Sequence, residues 1–349
     1  MINIGIIGCG RIAQVRHIPE YDKNQDARIY GVYDINEKRA KEVAEKYHAI
    51  PYKSYEEMLA DSAIDAVSIC TANYSHCEIS VKALTAGKHV LCEKPMAVTY
   101  EECQAMVEAA KKSGKYLMIC QQERLLPVHM KAKELLQQGS IGKILSFRTN
   151  FRHSGPETWT IDQDKVWFFD KKSAAFGAMA DLGIHKADLI HYLLDDTIKS
   201  AMAVTGALDK KNPDGTPISV DDNAICIYRT EKGILGTMEV SWTCYGQEDK
   251  STVLYGTQGC LKINSDTKYP LILEKRSGER IYYNMDDYKG HRNGTGMVDT
   301  WIQCLKTKTP PEISGESSFE SMKAVFAALE SAEKGCLISV NNLEEKLDQ

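Results

Sequence analysis

Three groups of residues in this 349-residue chain have types and spacings suited to chemistry. The first is Gly8-Cys9-Gly10-Arg11-Ile12-Ala13, which follows the apolar run Ile2–Gly8 and opens a helical pattern over Ile12–Tyr21. Between a strand and a helix, such a pattern suits a pyrophosphate. Gly8 permits the tight turn, Gly10 lets the backbone come close to the phosphates, and Ala13 keeps the helix near the strand. The helix start, at Arg11 and Ile12, adds unpaired N–H groups and the positive end of the helix dipole. The next apolar run, Ala27–Asp34, ends on an acid. An acid there accepts hydrogen bonds from the adenine-ribose hydroxyls and repels a 2′-phosphate, so NAD is expected rather than NADP. Lys38 and Arg39 lie just behind it and weigh the other way. The bland role for Asp34 is a cap on the following helix.

The second group lies at two strand ends. Thr71-Ala72-Asn73-Tyr74-Ser75-His76 follows the strand pattern Ala66–Thr71, and Glu93-Lys94-Pro95 closes the pattern His89–Glu93. Ligands of open α/β sheets bind at this carboxyl edge. Thr71, Asn73, His76 and Glu93 are therefore expected beside the cofactor, with Lys94 aimed at its nicotinamide. The third group is Asp181-Leu182-Gly183-Ile184-His185, inside a helical pattern over Ala178–Leu194. Asp181 and His185 are four positions apart and share one face, which Asp188 and Tyr192 continue.

The elements that must position these residues fall into two sets. Strand and helix alternate through the first third: Ile2–Gly8, Ile12–Tyr21, Ala27–Asp34, Glu37–Tyr47, Ala66–Thr71, Cys77–Ala86, His89–Glu93, Tyr100–Ser113 and Tyr116–Cys120. That alternation predicts a parallel sheet covered on both faces. After a helix at Val128–Gln138 and a strand at Ile144–Phe151 the pattern changes. Alternating strands are expected at Lys199–Ala207, Asn223–Thr230, Gly233–Thr243 and Ser251–Tyr255, with hairpin turns at Thr230–Gly233 and Thr257–Gly259. This is the pattern of a largely antiparallel sheet. The length also favours two domains, placed here at residues 1–124 and 125–349.

Composition narrows the class. Hydrophobic residues make up 43% and charged residues 26%, with a mild net charge of −5. No basic stripe points to nucleic acid, and no apolar run nears the roughly 20 residues that span a bilayer. The start carries no leader pattern, and the 11 cysteines include no Cys-x-x-Cys pair. Reduced, mostly buried thiols in a cytoplasmic protein are expected. No Cys/His cluster of structural metal spacing accompanies His185, so no metal is expected.

Together these residues resemble the family of glucose–fructose oxidoreductase, inositol dehydrogenase and their relatives. The resemblance rests on Ile-Gly-Ile-Ile-Gly-Cys-Gly at 4–10, Glu-Lys-Pro at 93–95 and Gly-Ala-Met-Ala-Asp-Leu-Gly-Ile-His-Lys-Ala-Asp at 177–188. A loop and helix at Gly315–Ala328 add to it. It implies an α/β chain: an N-terminal Rossmann domain, then a C-terminal α/β domain whose large open sheet often forms an oligomer interface. It also implies that Lys94, Asp181 and His185 surround the reacting carbon. His185 would take a hydroxyl proton, Lys94 would stabilise negative charge on the substrate oxygen, and Asp181 would orient the imidazole or the substrate. Two departures stand out. Ala178-Met179 replaces further glycines, and Gln121-Gln122-Glu123-Arg124 replaces a pattern of Asn, an aromatic residue and Arg. Gln122 is still expected at the nicotinamide ribose.

The implied substrate is a sugar, glycoside or polyol such as an inositol-like ring, oxidised at a secondary hydroxyl. Arg152, His153, Trp159, Trp167 and His291 are candidates to line its cleft, the tryptophans by stacking on a sugar ring. Core packing is the competing role for both tryptophans. Two other functions fit the same fold: an NAD-dependent glycoside hydrolase that oxidises its sugar transiently, and a non-catalytic NAD-binding regulator. A homodimer or homotetramer is expected, because an open antiparallel sheet needs a cover.

Overall fold

A computed structural model describes residues 1–161, 166–285 and 295–345. His291, one of the candidate substrate residues, lies outside them. In the first unit the strands are β1 (Ile2–Ile7), β2 (Ala27–Tyr33), β3 (Ile50–Pro51), β4 (Ala66–Ile69), β5 (His89–Cys92) and β6 (Leu117–Ile119). Helices α1 (Ile18–Lys23), α2 (Glu37–Tyr47), α3 (Tyr55–Ala60), α4 (His76–Thr85) and α5 (Tyr100–Ser113) run between them. All six strands are parallel, in the order β3-β2-β1-β4-β5-β6. The order reverses between β1 and β4, so a crevice opens at their carboxyl ends. Ile4, Ile6 and Ile7 of β1 are all fully buried, as a strand covered on both faces must be. The expected alternation is found, with the two-residue β3 added at the edge.

The second unit begins with α6 (Pro127–Gln137) and β7 (Ile144–Arg152), followed by α7 (Lys171–Ala174) and α8 (Ile184–Leu194). Its remaining strands are β8 (Ile198–Gly206), β9 (Asn223–Thr230), β10 (Leu235–Ser241), β11 (Thr252–Gly256), β12 (Gly259–Ile263), β13 (Leu271–Lys275), β14 (Arg280–Tyr283) and β15 (Ile338–Ser339). They form one nine-stranded sheet in the order β14-β13-β12-β11-β7-β10-β9-β8-β15. Only the β7–β10 pair is parallel. Both expected hairpins are present. The strands β13, β14 and β15 extend the sheet beyond the sequence expectation.

Three helices complete the chain: α9 (Met297–Thr307), α10 (Gly315–Lys334) and α11 (Asn341–Glu345). The stretch from Gly315 is helical from its first residue, capped by the Ser314 side chain accepting from the Ser317 N–H, rather than a loop before a helix. Helix α10 covers one face of the large sheet, where the Ala203 N–H donates to Ser331 Oγ at 3.0 Å. Helix α9 was not anticipated. It returns to the first unit: Met297, Val298, Trp301 and Ile302 pack in one cluster with Ile4, Ile6, Ile18 and Tyr21.

No helix among the described residues is long and apolar enough to cross a membrane. All eleven cysteines are free, and six of them are buried.

Candidate active site

The phosphate loop leaves β1 through Gly8, whose φ of +92° is a left-handed conformation that a side chain rarely adopts. A Cβ there would also stand 2.7 Å from the Cys70 carbonyl oxygen. Gly10 differs, because a Cβ on it would meet nothing within 4 Å. Its exposed backbone faces open space, which suits an approaching ligand. Ala13 is fully buried against the sheet. The following helix is not uniform: Ala13–His17 form a π-helical turn before α1.

Asp34 stands just past β2, six per cent exposed. Its Oδ2 accepts the Cys9 N–H at 2.7 Å, and its Oδ1 accepts the Asn36 N–H at 2.8 Å and Arg39 Nη1 at 3.3 Å. The acid therefore ties the second strand to the phosphate loop. The cap of α2 is Asn36, not Asp34. A cavity of about 460 Å³ opens beside this acid, lined by Arg11, Gln14, Asn36, Arg39 and Ile161 among others.

At the carboxyl ends of β4 and β5 the expected residues divide. His76 is fully buried and places its ring nitrogens 2.8 Å from the Pro95 carbonyl and 3.1 Å from that of Thr71. It supports the two loops from beneath instead of facing the cleft. Asn73 is also buried and donates to the Ala174 carbonyl at 3.1 Å, joining the first unit to the second. Glu93 lies 2.7 Å from His17 Nε2. Burial alone would raise the Glu93 carboxyl, but His17, Lys94 and Arg16 hold it down to about 2. Gln122 accepts from Arg16, whose guanidinium stands 5.9 Å from the centre of the Trp159 ring.

Lys94 extends from the β5 loop to Asp181, with Nζ 2.8 Å from Oδ1 and 2.9 Å from the backbone carbonyl. The Trp242 indole N–H donates to Asp181 Oδ2 at 3.1 Å, and His153 Nε2 lies 3.8 Å from the same oxygen. Burial works against the Asp181 carboxylate, yet Lys94 and His153 together hold it well below the usual range. Asp181 is thus an anion and Lys94 its cation.

The expected continuous helix over Ala178–Leu194 is instead a π-helical turn, Met179–Gly183, running into α8. The wider turn changes the phase of Asp181 relative to His185. Asp181 is engaged by Lys94 and Trp242, so it does not orient the imidazole through a direct bond. The His185 ring packs 6.0 Å from that of Phe151, and its Nδ1 is buried without a hydrogen-bond partner. Burial, helped by Lys94 and Arg16 and opposed by Glu123 and Asp181, pushes its pKa down to about 3.

The turn is anchored at Gly177, where a Cβ would fall 1.9 Å from the Asp221 carbonyl oxygen. The Asp221 carboxylate accepts the Gly177 and Met179 N–H groups at 2.7 and 2.8 Å. Asp188 takes no part at the cleft. It is fully buried and bound by Arg124 at 2.7 and 2.5 Å and by Ser321 at 3.1 Å.

The other substrate candidates scatter. Arg152 pairs with Glu239 on the neighbouring strand β10. Trp167 stacks on Phe168 with ring centres 3.9 Å apart. Trp159 reaches the first unit through Arg16. Sequence reasoning missed Trp242, the His17–Glu93 contact and Arg16. Trp242 had one signal: Met238, Val240 and Trp242 alternate as a buried strand face, and a buried indole N–H needs an acceptor.

A parallel dinucleotide sheet, a phosphate loop at its switch point and a Lys–Asp pair with a neutral histidine define a two-domain, dinucleotide-dependent oxidoreductase. Sequence profiles agree: residues 2–121 match "Oxidoreductase family, NAD-binding Rossmann fold" and residues 129–262 match the "GFO/IDH/MocA C-terminal domain". The chain belongs to the GFO/IDH/MocA oxidoreductase family, and its cofactor is NAD.

Among curated proteins it is 27% identical to myo-inositol 2-dehydrogenase of Thermotoga maritima, covering 95% of this chain and 97% of that one. It is 30% identical to levoglucosan dehydrogenase of Pseudarthrobacter phenanthrenivorans over 61% of this chain and 59% of the relative. Its fold matches a solved levoglucosan dehydrogenase, in complex with NADH and levoglucosan, with a TM-score of 0.84. That match has 24% identity and covers 97% of this chain and 98% of the other.

Proposed function

We propose that this protein oxidises a secondary hydroxyl of a sugar, glycoside or polyol, with an inositol-like ring as the first candidate. The observation that carries the reading is the meeting of Lys94, Asp181 and His185 from two domains at the carboxyl edge of the dinucleotide sheet. The relatives named above, an inositol and a levoglucosan dehydrogenase, support the substrate class. Bound NAD supplies the hydride acceptor.

Gly8, Gly10, Arg11 and Ile12 would hold its pyrophosphate, and Asp34 with Arg39 would hold the adenine ribose. Thr71, Glu93 and Gln122 border the nicotinamide end in this reading. In the proposed reaction His185, unprotonated at working pH, accepts the hydroxyl proton, and the Glu123 and Asp181 carboxylates favour the charge it gains against the cost of burial. Charged Lys94 donates to the substrate oxygen and stabilises negative charge there. Asp181 holds Lys94 in place, and Trp242 holds Asp181. The expectation that Asp181 orients the imidazole or the substrate thus becomes, in this reading, a hold on Lys94.

In this proposal residues 1–124 serve the cofactor and 125–349 the substrate, except that α9 completes the core of the first unit. The uncovered face of the large sheet would join a second copy. Its cross-strand pairs Met202–Ile227 and Val204–Ile225 are exposed, Val204 by 73%. Such a contiguous apolar patch favours an isologous dimer, or a tetramer built from it. Eleven free thiols fit a reducing cytoplasm.

A screen of polyols and sugars with NAD, followed by NADH absorbance, tests the reading. NADH formation with at least one polyol or sugar is expected. Aglycone release without NADH would replace it with the hydrolase, and no turnover at all with intact NAD binding would favour a regulator.

A further inference from the structure

Beneath the Lys94 loop lies a second cluster, of which the proposed reaction involves only Glu93, as a border of the nicotinamide end. His17 Nε2, a Glu93 carboxylate oxygen and Cys120 Sγ all lie within 4.8 Å of one another, and all three side chains are buried. The His17–Glu93 contact is 2.7 Å and the Cys120–His17 contact 3.9 Å. The fold presents them together. Cys92 and Ile119 are register partners on β5 and β6, so the next residues, Glu93 and Cys120, emerge side by side. His17 closes the π-helical turn above them. A cavity of about 10 Å³, bordered also by Glu20, Gln122 and Thr295, adjoins the three, roughly the room one water needs.

We infer that His17, Glu93 and Cys120 form a site for an exchangeable zinc-class divalent cation, with a water as fourth ligand. Imidazole, carboxylate and thiolate are the donor types zinc takes, at about 2.0–2.3 Å. A tetrahedral ion at those bond lengths needs ligand atoms roughly 3.3–3.7 Å apart. The His17–Cys120 spacing is close to that already, and the His17–Glu93 hydrogen bond must open by about half an ångström.

Charge also balances. A divalent cation with one carboxylate and one thiolate is neutral overall, which a buried site requires. Binding displaces one proton, from the Cys120 thiol to solvent. The imidazole proton moves from Nε2 to Nδ1, which is buried without a partner. That cost makes the ion exchangeable rather than structural.

The site reports directly to the loop above it, because Glu93 Oε2 accepts the Lys94 N–H at 3.2 Å. A cation that draws Glu93 toward Cys120 pulls on the same carboxylate. Occupancy therefore inhibits turnover, a consequence that rests on the role proposed for Lys94.

Co2+ titration of the chelator-treated full-length protein tests the site independently of activity. One equivalent should produce thiolate-to-cobalt charge-transfer absorption, and Zn2+ should abolish it by competition. Cys120→Ser should lose the absorption while binding NAD as the wild type does, with Cys120→Ala as the second variant should the first fail to fold. In turnover, Zn2+ should slow the wild type at least tenfold, reversibly on chelation, and leave Cys120→Ser unaffected. No absorption at one equivalent, or an equal band in both Cys120 variants, overturns the site. A Co2+ spectrum without inhibition overturns the regulatory half alone. An enzyme that makes no NADH but gives the spectrum refutes the proposed reaction and leaves the site standing.

Discussion

Asp181 and Lys94 neutralise each other across the cleft, so neither accepts the hydroxyl proton in the resting state. In the proposed reaction that task falls to His185, which burial keeps uncharged. Lys94→Ala and His185→Ala should each lower kcat by about two to four decades while NAD still binds. Single-turnover kinetics and a cofactor titration on each variant check this, and near-normal kcat in both removes the assignment. The pH profile gives a second test. kcat/KM reports groups of the free enzyme. With His185 at about 3, its acid limb should lie well below the ordinary histidine value of 6.5. A limb centred at 6.5 would point to a solvated base elsewhere.

Helix α8 and the segment Gln122–Leu125 are locked by the buried Arg124–Asp188 pair. Asp188→Ala strands a buried guanidinium and should cost about 3–5 kcal/mol, read from the urea midpoint. Replacing both partners, with Arg124→Met and Asp188→Leu, should cost much less than the single change. A single-variant loss under about 1 kcal/mol would mean that the pair is solvated.

The elements also show what was legible in the chain. Strand and helix alternation set out the first sheet, and glycine spacing located its phosphate loop, because both are local patterns. Strand-end position picked out Lys94 and four-residue spacing picked out Asp181 and His185, but their joint role was legible only through resemblance, since their meeting depends on how two domains pack. The π-helical turns at Ala13–His17 and Met179–Gly183 had no signal, because their apolar periodicity differs little from that of an α-helix over one turn. Strands β13 and β14 and helix α9 were missed for different reasons. The strands are only four or five residues long, and the helix packs on partners near the other end of the chain.

Taken as a whole, the molecule loses stability in acid through several buried or half-buried histidines. His185 and His191 sit at about 3 and His89 at about 4, all from an ordinary 6.5, and burial is the leading cause in each. Below about 6.5 the unfolded chain binds protons at these sites that the folded chain refuses. Stability is therefore full above that pH and falls as the pH drops from about 6.5 toward 4. The depressed carboxyls of Asp181 and Glu93 add to the loss only lower, below their ordinary values near 4. Tm measured across this window should decline, and His191→Gln, which retains an acceptor for the Ile198 N–H, should flatten the slope. A Tm constant from 6.5 to 4 would contradict the burial.

Assembly belongs to the same scale. Val204→Lys together with Ile227→Lys should yield monomers by light scattering with unchanged circular dichroism. An unchanged mass would place the contact on another surface.

The route of the chain has a consequence for its biosynthesis. The cluster that seats Ile4 and Tyr21 stays open until Met297, Val298, Trp301 and Ile302 arrive, and the Ile119 N–H waits for the Ile313 carbonyl. The core of the nucleotide-binding unit is therefore not closed until α9 has been made, and a chain truncated before α9 should expose this apolar flank and be prone to aggregate.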